Sequence, residues 1–329
     1  MARNGNNTAD IVLEGGGVKG IALVGALEVL NDAGYSFERV AGTSAGAIVG
    51  SAVAAGMPMR DLVQLMREVD YKKFQDKGFV DKIPGGRLVS LLFEGGIYEG
   101  DYLVEFLDDL LGTLGVSIFA DLRLPDDPDS ALPTDHRYKL VVCASDLTQK
   151  RLRRLPWDYA DCYGLDPDSR SVSEAVRASM SLPFFFEPAT LAYEFDGEPT
   201  ESVLVDGGML SNFPIGLFDR TDGVAPRWPT FGLKLSAKPD DKRVQESPDN
   251  PIELGQAMLS TLLTFHDAIH TDRPEVRGRT IFIDTLGVET TNFDITPAEQ
   301  DALYQSGRAA AEKVLEDWSF ETYVENRTT

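Results

Sequence analysis

Arg39-Val40-Ala41-Gly42-Thr43-Ser44-Ala45-Gly46-Ala47-Ile48-Val49-Gly50 is the stretch of this sequence that decides the fold. Its first residues continue a short strand from Phe37 to Ala41, and its last ones open a small-residue helix from Ala45 to Ala55. Between them, residues 42–46 have the pattern G-x-S-x-G, which is typical of a sharp strand-to-helix turn with a serine at its apex. The stretch therefore predicts an exposed Ser44 hydroxyl at the start of a helix.

The crowding in such a turn requires Gly42 and Gly46, because there is no room for side chains two positions before and after the serine. We expect the Ser44 backbone to be strained. The helix N-terminus favours negative charge beside the serine. Gly42, Gly46 and Gly50 also spell G-x-x-x-G, which is found in membrane helices. Since the residues from Ala41 to Met59 are mostly Ala, Gly and Ser, we favour a buried helix packed through its glycines.

A glycine loop precedes the serine turn. The apolar strand Asp10–Glu14 leads into Gly15-Gly16-Gly17-Val18-Lys19-Gly20 and then into a helix from Ile21 to Ala33. The spacing satisfies the dinucleotide fingerprint G-x-G-x-x-G, but the second strand lacks the acidic residue at its end that would hold a ribose. The other interpretation is an oxyanion hole built from glycine N–H groups. Because neighbouring parallel strands end at one edge of a sheet, we expect the loop and Ser44 to meet.

Two later segments add candidate site residues. Ser202–Val205 reads as a strand that ends in Asp206-Gly207-Gly208, where two glycines let another chain or a substrate approach the carboxylate. Phe184-Phe185-Phe186 lies between prolines, and at least one of these rings is expected to line a substrate groove.

Composition limits the function classes. The chain has 329 residues, 43% of them hydrophobic and 26% charged, as in ordinary globular proteins. A net charge of −22 argues against nucleic acid and against docking on anionic lipid. The two cysteines, Cys143 and Cys162, and the lack of a visible signal peptide fit a reducing cytoplasm. We expect a flexible polar tail over residues 1–9 and one domain over residues 10–329.

Four motifs together resemble those of the patatin-like phospholipase family, and they occur along the chain in the same order as in that family. They are the glycine loop, the serine turn, the proline-containing block Ala178–Pro188 and the D-G-G motif. The resemblance implies a three-layer α/β/α sandwich around a mostly parallel sheet. It also implies hydrolysis of lipid acyl esters by a Ser-Asp dyad, transient membrane contact and no cofactor or metal. One departure is Glu14, where many members carry Asp. The implied site consists of the nucleophile Ser44, the base Asp206, the oxyanion residues Gly15, Gly16 and Gly17, the supporting residues Lys19, Gly42, Gly46, Gly207 and Gly208, and the substrate-binding residues Phe184, Phe185 and Phe186.

Other functions stay open at this point. A Ser-His-Asp esterase of the α/β-hydrolase type would use Ser44, Asp206 and then His266 or His270, although that fold places several strands before its serine turn. The two histidines also stand at i, i+4, as in a zinc-binding helix. A non-catalytic nucleotide- or ligand-binding α/β protein is a third class, against which the intact serine, aspartate and glycine loop count.

Overall fold

The computed structural model describes residues 7–74, 98–130, 132–235 and 273–328. Within them the chain forms one eight-stranded sheet. Its strands are β1 (Asn7–Leu13), β2 (Tyr35–Thr43), β3 (Leu140–Asp146), β4 (Arg151–Leu155), β5 (Ala189–Phe195), β6 (Glu198–Asp206), β7 (Thr230–Lys234) and β8 (Thr280–Phe282).

Helices cover this sheet and complete the α/β/α sandwich that the sequence predicts. In the described residues they are α1 (Gly20–Asp32), α2 (Ala45–Ala54), α3 (Met59–Glu68), α4 (Asp101–Thr113), α5 (Asp158–Tyr163), α6 (Val172–Ser179), α7 (Pro274–Arg277), α8 (Pro297–Glu316) and α9 (Phe320–Thr328). Helix α2 packs on β2, and α1 packs along α8 and α3. Short 3-10 helices at Gly17–Lys19, Tyr71–Phe74 and Gly207–Met209 carry residues of the site described below.

The sheet is mostly parallel at its centre and antiparallel at one side. Its order is β5-β6-β3-β2-β1-β7-β8, with β4 also paired to β3. The neighbours from β3 through β2, β1 and β7 to β8 are all parallel, whereas β4 and β6 run antiparallel to β3 and β5 to β6. The central strands are buried on both faces, as expected for a parallel sheet covered by helices.

The pairing of β3 brings two distant strand ends together. Its first half pairs with β2 up to Thr43↔Cys143, and its second half pairs with β6 from Ala144↔Asp206. Because β4 occupies the other edge of β3 over Val142–Asp146, β2 and β6 must share one edge. They run toward each other there, so the residue after β2, Ser44, meets the last residue of β6, Asp206.

The predicted polar tail is wrong for its last three residues. Strand β1 begins at Asn7, because residues 7–9 pair with Tyr35–Phe37 at the start of β2. Ala9 is fully buried. Strand β5 and helices α5, α7 and α9 were not predicted. The sequence also predicts a helix from Ile252 to His270 and an apolar segment from Leu88 to Phe93, and both lie outside the described residues.

Candidate active site

Ser44 stands at the apex of a strained turn, as the pentapeptide predicts. It directly precedes α2 with φ 52° and ψ −126°, in a region that residues with a side chain rarely adopt. A Cβ atom on Gly42 would lie 2.3 Å from the Gly46 carbonyl oxygen, and one on Gly46 would lie 2.4 Å from the Leu13 oxygen. Both positions therefore require glycine for the turn to close against β1.

Ser179, the last residue of α6, holds this turn in place through hydrogen bonds. The Ser44 N–H donates to Ser179 Oγ at 2.9 Å, and the Ser179 hydroxyl donates to the carbonyl oxygen of Cys143 at 2.6 Å. Ser179 is fully buried, so these bonds are shielded from water. The hydroxyl joins the start of α2 to β3 and sets the position of the strained backbone. We did not single out Ser179 from the sequence, where its only signal is its place in the proline-containing block.

The Ser44 hydroxyl faces two acceptors. One is the Asp206 carboxylate, which lines the same cavity and whose raised pKa is held down in part by the nearby Ser44 side chain. The other is the thioether of Met180, with Ser44 Oγ 3.4 Å from Sδ. Sulfur in a thioether is a weak acceptor, so the carboxylate is the stronger partner for the proton.

Asp206 is a buried carboxylate at the end of β6. Its backbone N–H donates to the Ser181 oxygen at 2.9 Å, and its Oδ1 accepts the Gly208 N–H at 2.8 Å. Burial raises the pKa of Asp206 from 3.8 to about 6, although the hydrogen bonds from Gly208 and Ser44 oppose the rise. Such a carboxylate is still ionised at neutral pH and binds a proton more readily than an exposed aspartate does. It is therefore suited to act as a general base.

The glycine loop lies beside the serine and presents its backbone N–H groups there. The Gly15 N–H donates to the Asn212 oxygen at 3.3 Å, and the Val18 N–H donates to the Thr290 oxygen at 3.2 Å. Within the described part of the chain, the N–H groups of Gly16 and Gly17 have no such acceptor. Of the three glycines, Gly16 and Gly17 therefore keep N–H groups that a bound oxygen could use, while Gly15 holds the loop to Asn212.

A buried charge cluster supports the loop. The Glu14 carboxylate accepts hydrogen bonds from Lys234 Nζ and from the Leu235 N–H. Lys19 lies close to the same carboxylate, and burial lowers the pKa of its ammonium group, while the charge of Glu14 opposes that change. Lys234 ends strand β7 and Leu235 follows it, and neither was predicted as a site residue. The cluster ties the end of β1 to the end of β7 beneath the glycine loop.

A pocket that opens to solvent begins at Ser44 and Asp206, and the space between its walls is about 860 Å³ when the solvent at its mouth is counted. Phe186 lines it, whereas Phe184 lies in a turn with φ 72° and Phe185 packs against the core. We therefore retain Phe186 alone of the three aromatic residues as a substrate contact. The wall is mainly apolar, and its apolar residues are Val18, Ala45, Ile48, Met66, Phe74, Leu103, Met180, Leu182, Phe186 and Phe293.

The side chains that a Ser-His-Asp triad or a metal site would require are not found beside Ser44 among the described residues. His136 stacks on Trp157 with 4.8 Å between ring centroids, and it does not line the cavity. His266 and His270 lie outside the described residues. No group of three or more His, Cys, Asp or Glu side chains that could hold a metal occurs among residues 7–74, 98–130, 132–235 and 273–328. No helix in those ranges has the length and apolar character needed to cross a bilayer.

This chain is similar to known proteins over the segment that carries the site. A family model described as "Patatin-like phospholipase" matches residues 11–219, a range that contains the glycine loop, the serine turn and Asp206. YqhO of Bacillus subtilis is 37% identical over 313 residues, which cover 94% of this chain and 99% of that protein. The neuropathy target esterase sws of Drosophila grimshawi is 26% identical over 208 residues, 63% of this chain and 11% of that protein.

Among solved structures, VipD from Legionella pneumophila superposes with a TM-score of 0.50 at 17% identity, covering 95% of this chain and 67% of that one. This likeness shows the fold. The family match ends at residue 219, so Lys234, Leu235, Thr290 and Phe293 are contributed to the site by the part of the chain beyond it.

Proposed function

Because the chain belongs to the patatin-like phospholipase family, whose members are serine ester hydrolases, we propose that it cleaves lipid acyl esters through a Ser44–Asp206 dyad. One observation carries the proposal. The buried Asp206 carboxylate, with its raised pKa, lines one cavity with Ser44 at its strained turn and with Gly16 and Gly17, whose N–H groups have no acceptor among the described residues.

In the acylation step Asp206 takes the Ser44 proton while Ser44 Oγ attacks the ester carbonyl carbon. The oxygen of the tetrahedral intermediate accepts hydrogen bonds from the N–H groups of Gly16 and Gly17. The intermediate then expels the alcohol, which receives the proton from Asp206, and the acyl group stays on Ser44 as an ester. In deacylation Asp206 takes a proton from water, the resulting nucleophile attacks the acyl-enzyme, and Ser44 is released with its proton restored.

The two backbone donors supply much of the rate in this proposal. An aspartate with a pKa of about 6 is a weaker base than the histidine of a triad would be beside a serine, whose hydroxyl is hard to ionise. A single oxyanion donor contributes about 3–4 kcal/mol to transition-state stabilisation. The dipole of α2, whose N-terminus begins at Ser44, acts in the same direction.

We propose a medium or long acyl ester of a neutral or zwitterionic lipid as substrate. The apolar cavity wall favours an acyl chain over a charged group. The net charge of −22 disfavours contact with strongly anionic membranes, so any membrane contact is transient. Since Cys143 and Cys162 are both free, we place the reaction in the reducing cytoplasm.

Replacement of the dyad tests the assignment. Ser44→Ala and Asp206→Asn should each lower kcat for a p-nitrophenyl ester by about 10⁴-fold or more, because both groups act in one proton transfer. Ser44→Ala should leave thermal unfolding close to wild type. Hydrolysis at the wild-type rate by Ser44→Ala would refute the nucleophile assignment.

The rival mechanisms are tested by replacing histidines. The chain has three, His136, His266 and His270, so a triple His→Ala variant is practical. It should retain activity within a few-fold, and EDTA should change nothing. A Ser-His-Asp enzyme would lose several orders of magnitude in the same variant. Loss of activity with folding intact by circular dichroism would overturn the dyad. Tight nucleotide binding without ester hydrolysis would favour a binding protein.

A further inference from the structure

Met180 follows α6 and places its thioether beside the proposed nucleophile. Its Sδ atom lies 3.4 Å from Ser44 Oγ, and both side chains line the same cavity. The Met180 N–H donates to the Val176 oxygen at 3.0 Å and to the Arg177 oxygen at 3.1 Å. These two bonds fix the backbone of Met180 at the end of α6, so the residue is held next to the serine turn.

The thioether lies where a small molecule can reach it. Met180 is partly exposed, whereas Met66, which also lines the cavity, is only 5% exposed. An ester carbonyl must come within about 3.5 Å of Ser44 Oγ before it is attacked, so the space beside this oxygen has to admit substrate. Hydrogen peroxide is much smaller than an ester, and the sulfur is a neighbour of the same oxygen.

The two thiols of the chain are poorer targets for an oxidant. Cys143 is fully buried, and burial raises the pKa of its thiol to about 12. Burial also raises the pKa of Cys162, although the charge of Arg153 beside it opposes the rise. Neither cysteine lines the cavity. Because peroxide attacks the thiolate, both cysteines should react slowly at neutral pH, whereas a thioether has no proton to lose.

We propose that Met180 is a redox modification site, at which a hydroperoxide such as hydrogen peroxide converts the thioether to a sulfoxide and thereby stops ester hydrolysis. This inference rests on the proposed function of Ser44. The sulfur attacks one peroxide oxygen, the O–O bond breaks and an S–O bond forms. The other oxygen takes the proton of the transferred one and leaves as water, or as an alcohol from an organic hydroperoxide. Met180 is oxidised by two electrons and the peroxide is reduced.

The sulfoxide changes the site in two ways. A thioether is a weak acceptor, whereas the added oxygen is a strong one that competes with Asp206 for the Ser44 hydroxyl without removing its proton. The oxygen also brings a polar group into a mainly apolar wall, where an acyl chain would leave it unpaired. Both effects oppose acylation, so we expect kcat/KM to fall about tenfold or more.

The test follows activity and mass during exposure to hydrogen peroxide. Wild type should lose hydrolysis of a p-nitrophenyl ester in step with the gain of one oxygen atom on the peptide that contains Met180. Methionine sulfoxide reductases for both epimers should restore the rate. Met180→Leu, which has a similar volume and no sulfur, should keep most of its own untreated activity. Met57→Leu, which lies outside the cavity, should be inactivated as wild type is.

Met180→Gln supplies a test that needs no oxidant. The amide oxygen of glutamine is a polar acceptor at the position of the thioether, as the sulfoxide oxygen is. This variant should hydrolyse the ester about tenfold or more slowly than Met180→Leu, with folding intact by circular dichroism. A folded Met180→Gln variant that is as active as Met180→Leu would overturn the inference.

Three results of the peroxide experiment would also overturn it and leave the proposed function intact. Met180 could stay unoxidised while the ester is still hydrolysed, oxidised wild type could keep its full rate, or Met180→Leu could be inactivated as fast as wild type. No hydrolysis of any ester by untreated wild type would instead refute the proposed function.

Discussion

Asp206→Asn should stabilise the protein while it destroys activity. Burial holds the pKa of Asp206 at about 6 in the folded chain, against 3.8 for the free side chain. This difference corresponds to about 3 kcal/mol, since one pH unit is worth 1.36 kcal/mol. Asparagine has nearly the same shape, keeps the acceptor for the Gly208 N–H and carries no charge to bury.

Because the pKa of Asp206 is raised in the folded chain, the direction in which pH changes the free energy of unfolding is determined. The folded chain binds the Asp206 proton more tightly than the unfolded chain does, so the contribution to stability is fully present below pH 3.8. It decreases between pH 3.8 and about 6 and is lost above that. Asparagine does not titrate. The variant should therefore exceed wild type by about 3 kcal/mol at pH 8 and by about half as much at pH 5.

Urea unfolding followed by tryptophan fluorescence at pH 5 and pH 8 measures this difference, and the chain has three tryptophans as probes. Asp109→Asn is a matched control, because it makes the same replacement at an exposed position of α4. That control should change stability by less than about 0.5 kcal/mol at either pH. The reasoning is refuted if Asp206→Asn is no more stable than wild type at pH 8, or if its gain is the same at both pH values.

Three further predictions concern activity. Because Asp206 must be ionised to act as base, kcat/KM for ester hydrolysis should rise tenfold per pH unit up to about pH 6 and then level off; a rise centred near pH 4 would contradict the buried base. Gly16→Ala should lower kcat much more than it raises KM, because oxyanion donors act in the transition state. Its new methyl group meets two flexible side chains, Leu235 closely and Lys19 at an ordinary contact distance, whereas Gly17→Ala meets the Thr290 backbone and should lower Tm as well. Vesicles rich in anionic lipid should be hydrolysed more slowly than zwitterionic ones, and added salt should reduce the difference; equal rates at low salt would contradict the charge argument.

The parts of the fold that are continuous in sequence were predictable. Strand β1, the glycine loop, α1, β2 and the serine turn follow one another between residues 7 and 54, and each has a local signal in periodicity or glycine spacing. The strand boundaries differ most, because pairing extends β1 back to Asn7 and β2 to Tyr35 and Thr43, while α1 and α2 each end one residue earlier than predicted. The sequence also predicts that Ser44 and the glycine loop lie at one edge of the sheet, because each follows one of two neighbouring parallel strands.

Contacts between distant segments were not predictable. The antiparallel entry of β6 beside β3 brings Asp206 to Ser44, but the D-G-G motif carries no signal of strand direction. Ser179 fixes the turn, and Thr290 fixes the glycine loop, across long sequence separations. The side chains of the three phenylalanines lie in different environments, because the chain turns at Phe184, whose φ is positive. In each case the deciding interaction is tertiary.

The central claim is that Ser44 attacks the substrate and carries the acyl group. The most direct measurement is to treat the intact protein with a fluorophosphonate, which is attacked by activated serines, and to locate the modified peptide by mass spectrometry. We predict one phosphonate per chain, on Ser44, that is abolished in Ser44→Ala and strongly slowed in Asp206→Asn. A phosphonate on another serine of an active enzyme, or labelling of Ser44 that proceeds at the wild-type rate without the Asp206 carboxylate, would contradict the account.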